Sequence, residues 1–154
     1  MNTLIVMIGI PGSGKTTYAK KILKANKNWE YVSRDEVRYE YVTDQAHYFD
    51  HEKEVYREFC NRIDMHLLNG KTVIADATHL NRASRDKLLY SLSVKPDKLI
   101  AIFMNTPFEL CRERNNKREG ITRVPESNMF RMSHRLSKPN PVSENFDKVY
   151  TVKG

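Results

Sequence analysis

Residues 9–16 read GIPGSGKT, between the apolar run 4–8 and a stretch of helical character from Lys15 to about residue 26. In that strand–loop–helix setting the octet is a complete phosphate-binding loop. Gly9, Gly12 and Gly14 let the backbone curl so that successive N–H groups point at phosphate oxygens. Lys15 then reaches the β- and γ-phosphates, and the Thr16 hydroxyl can sit on Mg²⁺. The start of the following helix adds partial positive charge. Gly12, Ser13, Gly14, Lys15, Thr16 and Thr17 are therefore the expected ATP contacts. A ligand-free Gly-rich turn is the plain alternative, and the agreement of strand, loop, Lys15 and Thr16 argues against it.

Around this loop, strand and helix signals alternate, the pattern of a parallel sheet. Strands are expected at 30–32, 72–75, 99–104 and 148–152. The segment 33–36 reads as a capping box, with Ser33 capping a helix and Glu36 at its third position. Residues 48–68 place Val55, Phe59, Ile63 and Leu67 on one helical side, and 81–92 form another helix. Thr106 as N-cap and Pro107 at the first helical position open a helix to about residue 116, and 125–136 form one more. The expected fold is α/β, a five-stranded parallel sheet with helices on both faces, in one domain over 1–154. No apolar run approaches the roughly 18–20 residues of a membrane span, and no signal-peptide pattern precedes the first strand, so a cytoplasmic protein without a membrane partner is expected. Cys60 and Cys111 lack Cys-x-x-Cys spacing and read as buried, reduced thiols.

Charge narrows the partners. The net charge of +7 is unevenly spread: residues 1–27 hold five Lys and no acid, and residues 111–138 hold eight Lys or Arg against three Glu. Residues 28–110 are net negative, with eleven basic and fourteen acidic side chains. The second basic block, centred on Arg118 and Arg123 beside Gly120, reads as a mobile basic lid around 112–125. It suits a polyanion, either a triphosphate alone or a triphosphate with a nucleic-acid backbone.

Asp76 at the end of the third strand is followed by Ala77, not by a Glu that could activate water, and no Asn-Lys-x-Asp motif for guanine occurs. Both absences disfavour an ATPase motor or a GTPase. A kinase needs a base near the acceptor hydroxyl, a group that holds the acceptor, and cations over the moving phosphate. Asp35, at the second position of the helix after strand two, lies at the sheet edge where such folds bind ligands, and the helix start favours its ionised form. Arg38, three residues on, can clamp a phosphate beside the hydroxyl. The bland reading is a first-turn acid with a surface partner. Asp76 reads either as an acid near Mg²⁺ or as an orienting partner for Arg38, and Thr78 as an acceptor contact. Arg114 reads as a lid residue or as an outer-face helix residue. Tyr39, Tyr41 and Tyr48 read as stacking groups or as core.

The ordered segments GIPGSGKTTYA, SRDEVR, VIADATHLN, ERNNKRE and VPESNMFRMSHRL carry a resemblance. The chain resembles the 5′-kinase domain of the polynucleotide kinase family, within the P-loop NTPases of nucleotide-kinase-like fold, over nearly its whole length. The resemblance implies that Lys15 and Thr16 bind phosphates and Mg²⁺, that Asp35 is the general base, and that Arg38 holds the acceptor phosphate. It also implies that Asp76 organises the acceptor site and that Arg118 is the lid arginine over the transferring phosphate. Arg114 joins the expected ATP contacts, and Val124 the acceptor contacts. His79 stands where the family often has Asn, and the lid is one residue longer. Without an Asp-x-Asp phosphatase signature, the expected enzyme phosphorylates 5′-OH ends of DNA or RNA without cleaning 3′ ends. The alternative is a small-molecule kinase for a nucleoside, sugar or antibiotic; a non-catalytic nucleotide-binding module is disfavoured by the joint presence of Lys15, Asp35 and Arg118.

Overall fold

The computed structural model describes all 154 residues and contains five strands: β1 (Thr3–Ile8), β2 (Glu30–Ser33), β3 (Thr72–Asp76), β4 (Lys98–Met104) and β5 (Lys148–Val152). All pair in parallel, in the order β2-β3-β1-β4-β5. The helices are α1 (Lys15–Ala25), α2 (Arg34–Tyr39), α3 (Glu52–Leu68), α4 (Arg82–Ser91), α5 (Phe108–Asn116) and α6 (Glu126–Arg135).

The apolar run in β1 is continuous because the strand is central and covered on both faces. Leu4, Val6 and Ile8 face Phe59, Ile63 and Leu67 of α3 and Leu88 of α4. Ile5 and Met7 face the other way, toward Ala19 of α1 and Ile74 and Ile102. Each such fully buried side chain contributes about 1.5–3 kcal/mol. A smaller core of Ile10, Tyr48, Cys111, Val124 and Met129 sits behind the phosphate loop. Cys60 and Cys111 are buried free thiols, as expected. No helix is long and apolar enough to cross a membrane.

Two local expectations change. Helix α3 starts at Glu52, not at residue 48. Asp44 caps a 3₁₀ turn at Gln45–His47 by accepting from the His47 N–H at 3.0 Å, and the chain then turns Tyr48 into the small core, where it is 4% exposed. A side-chain cap and one buried aromatic outweigh helical periodicity there. Thr106 does not cap α5. Its hydroxyl donates to the Ser13 carbonyl at 2.7 Å, and Pro107 occupies the N-cap position.

One polar group lies deep in the packing. Arg85 of α4 is 2% exposed; its Nε donates to Glu144 at 2.7 Å, and it also donates to the carbonyls of His79 at 2.9 Å and Ser137 at 3.1 Å. Glu144 accepts in addition from the Asn140 N–H at 3.0 Å. The proline-containing connection 138–145 is thereby fixed to α4.

Candidate active site

Strand register gathers the site at one sheet edge. Asp76 is aligned with Met7 of β1 and with Ser33 of β2, so the phosphate loop, the strand-end acid and the start of α2 emerge side by side. Such an edge, at the carboxyl ends of parallel strands, is where open α/β sheets bind ligands.

The loop takes its shape from Gly12 (φ 83°) and Gly14 (φ 92°), both left-handed. A Cβ at Gly12 would also lie 2.4 Å from the Cys111 carbonyl oxygen. Arg114 donates to the Gly12 carbonyl at 3.1 Å, and Thr106 holds the Ser13 carbonyl, so α5 and its lead-in brace the loop from outside. Gly12→Ala is expected to lose about 1–3 kcal/mol together with the ATP-induced rise in melting temperature, both read by thermal unfolding.

At the loop's far end Lys15 is 7% exposed, with its Nζ 3.9 Å from Asp76 Oδ1. The Thr16 hydroxyl donates to Asp76 Oδ2 at 2.7 Å, and the Tyr31 hydroxyl donates to the same oxygen. Burial, and then the Asp76 charge, hold the Tyr31 phenol well above its usual pKa. Oδ1 of Asp76 is buried without a hydrogen-bond partner.

Lys15 is a shared wall. On one side it lines a cavity of about 40 Å³ with Gly12, Gly14, Thr16, Thr17 and Arg118. On the other it lines a cavity of about 120 Å³ that also contains Asp35, Arg38 and Thr78, with Arg34, Tyr48, Phe49 and Glu52. A third hollow, of about 340 Å³, runs from Gly12 and Gly14 past Tyr18, Arg114 and Arg118 to Val152. Arg118 thus borders both hollows on the loop side, with Nη1 donating to the Thr122 carbonyl at 3.5 Å. Its 3₁₀ turn, Gly120–Thr122, reaches the segment before α3 through Gln45, whose amide donates to the Arg123 carbonyl at 2.6 Å.

Arg38 is not the free cation that the sequence suggests. Its Nε and Nη2 donate to Glu52 at 2.8 and 2.7 Å, and its Nη1 donates to Asp35 Oδ1 and, at 3.1 Å, to the Tyr48 hydroxyl. Burial opposes its charge, but the hydrogen bonds of Glu52 and the fields of Tyr48 and Asp35 outweigh that and raise its pKa. Glu52 also accepts from Arg34 at 3.1 Å. Asp35 keeps 40% of its side chain exposed, toward the cavity.

Val124 lies apart from that cavity. It is 2% exposed in the small core, and its N–H and C=O are bonded to the Asn115 amide at 3.0 and 2.8 Å. His79, next to Thr78, is buried with φ 44°, and its Nδ1 donates to the Met7 carbonyl at 2.7 Å. Burial pushes its pKa down from 6.5 to about 4, against the pull of that hydrogen bond. The unfolded chain takes up this proton below about pH 6.5 and the native chain only near pH 4, so stability falls as pH drops through that window, by up to about 3 kcal/mol. His79→Asn removes the titration and suits the left-handed backbone. Its melting temperature should fall less than the wild type's between pH 7 and pH 4.5.

Three participants escape a reading of the sequence: Tyr31, Glu52 and Arg34. Each acts across a fold contact and not through local spacing. Arg34 adjoins Asp35 and could have been suspected from SRDEVR; nothing local marks the other two.

The sheet order, the loop and the two cavities meeting at Lys15 define a P-loop domain of the kinase type. A family model described as an AAA domain matches residues 4–139, and the chain belongs to that family. A protein of Acanthamoeba polyphaga mimivirus named as a bifunctional polynucleotide phosphatase/kinase is 28% identical over 156 residues, covering 97% of this chain; the chain spans about a third (32%) of that relative. Kti12 of Chaetomium thermophilum, solved with ADP-AlF3, shares the fold with a TM-score of 0.74 at 20% identity, over 97% of this chain and 88% of that one. A sugar kinase from Janibacter sp. HTCC2649 shares it with a TM-score of 0.65 at 21% identity, over 99% and 85%.

Proposed function

We propose that the protein is an ATP-dependent polynucleotide 5′-hydroxyl kinase that transfers the γ-phosphate to the 5′-OH end of DNA or RNA. The observation that carries this reading is Lys15 as the wall between the loop cavity and the Asp35 cavity. A γ-phosphate held by Lys15 faces a hydroxyl beside Asp35, the arrangement in-line transfer needs. Asp35 takes the hydroxyl proton, and Lys15 and Arg118 balance the charge on the moving phosphoryl group. Arg38, held in place by Glu52, aims its remaining Nη2 proton at an acceptor phosphate, and the exposed ring of Phe49 offers a terminal base an aromatic wall. The orphaned Asp76 oxygen and the Thr16 hydroxyl fit one Mg²⁺, which the protein would hold with few side chains and the nucleotide would complete. When bound, such an ion would supply positive charge against the charge that develops on the phosphates. Val124 acts on the acceptor only indirectly, by backing Tyr48.

The narrowness of the Asp35 cavity favours a second reading, a compact acceptor such as a nucleoside or sugar. Labelled ATP offered with a 5′-OH oligonucleotide, a 3′-mononucleotide, a nucleoside and a hexose separates the two. The polynucleotide reading expects label on the first two alone, with an oligonucleotide KM that rises with salt. Label on the nucleoside or hexose alone would replace it.

A further inference from the structure

We infer that the cavity between α3 and α4 is a second phosphate subsite, which takes a phosphodiester of the acceptor strand beyond the nucleotide that reacts. This rests on the polynucleotide reading. The cavity holds about 520 Å³ and shares Arg34 and Glu52 with the Asp35 cavity, so the two adjoin across that ion pair. The Asp35 cavity, at about 120 Å³, has room for little more than the reacting end. The rest of a strand must leave it, and this hollow lies just across the Arg34–Glu52 pair.

Its lining is cationic. Arg34, Lys53, Arg57 and Lys87 surround it against the single carboxylate of Glu52. This concentration arises within 28–110, the net-negative stretch of the chain. Lys53 and Arg57 are one turn apart on α3, where like charges repel, and Lys87 comes from α4 to the same hollow. None of the three has an acidic partner within 4 Å, unlike Arg34 at the inner end of the hollow. Tyr56 stands in the lining, with the Arg34 guanidinium 4.9 Å and the Lys87 ammonium 4.5 Å from its ring centre. The Tyr56 hydroxyl and Arg34 Nε are both buried without hydrogen-bond partners. An unsatisfied buried donor is costly, and two at the edge of one cationic hollow call for an anionic acceptor. Unpaired cations, idle donors and a position beside the Asp35 cavity together describe a place for a backbone phosphate.

The test is the triple variant Lys53→Ala/Arg57→Ala/Lys87→Ala, whose three side chains are exposed and whose melting temperature should match the wild type's. With a 5′-OH hexanucleotide, KM should rise at least tenfold at unchanged kcat. With a 3′-mononucleotide, which carries only the phosphate next to the reacting end, KM should stay within about twofold. The slope of log KM against log salt for the hexamer should also become shallower, since fewer counterions are displaced. An unchanged hexamer KM overturns the subsite, as does an equal rise for both acceptors, which would mean diffuse charge. If the wild type phosphorylates neither acceptor, the activity reading fails by itself. Fluorescence anisotropy with a labelled hexamer then decides the subsite: tenfold weaker binding by the variant sustains it, and equal binding, or no binding by the wild type, overturns it.

Discussion

Asp35→Asn is expected to lower kcat by roughly 10²–10⁴-fold while leaving nucleotide affinity unchanged. Asn preserves the volume of the side chain and an oxygen that can still accept from Arg38 Nη1 and from Tyr48, so the geometry around Glu52 survives. It cannot take the proton of an incoming hydroxyl. Asp35→Ala would be a poorer test, because Arg38 would lose one of its two carboxylate partners inside a buried cluster. Lys15→Ala should differ in kind, losing nucleotide binding as well as turnover, since Lys15 belongs to the donor side too. Nucleotide titration and single-turnover transfer measured on the same proteins separate the two cases. Full kcat in Asp35→Asn would remove Asp35 as the base.

Arg85→Ala should cost about 3–5 kcal/mol, because it strands Glu144 in the interior without a counterion. For a chain of this size that lowers the melting temperature by about 10 °C. The paired replacement Arg85→Met/Glu144→Leu should recover most of the loss, since it removes both charges and keeps the volume. Thermal unfolding of the three proteins gives the answer, and a double variant as unstable as the single would show that the hydrogen bonds to His79 and Ser137 carry the stability instead.

The parts of this molecule legible in the sequence are those encoded by neighbours in the chain. The loop follows from the eight consecutive residues 9–16. Asp35 and Asp76 follow from being last on, or just past, a strand, and parallel register then aligns them without further information. Periodicity located every strand and most helices to within a residue or two. What the residues conceal is direction in irregular backbone and pairing across it. Val124 lies in a lid segment without periodicity, and the amide of Asn115 turns it inward. Glu52 meets Arg38 from 14 positions away and Tyr31 meets Asp76 from 45. Tyr48 looked helical because its neighbours were, but a side-chain cap at Asp44 ended that pattern. Nothing local marks Arg85 for burial, and only the return of the chain at Glu144 explains it.

Glu52 has a kinetic consequence. The acceptor cavity without a ligand is lined by Lys15, Arg34 and Arg38 against Asp35 and Glu52, three positive charges and two negative. The two guanidinium groups are held by those carboxylates, so Lys15 carries the excess charge, and an acceptor is recognised by shape and by the few donors left open. After transfer the hydroxyl has become a phosphate monoester beside two carboxylates whose cations are already engaged. The carboxylates repel the product, and Lys15 is the lining cation that they do not hold. A site built this way gives the new phosphate little beyond Lys15 to hold it, which favours its release after each turnover.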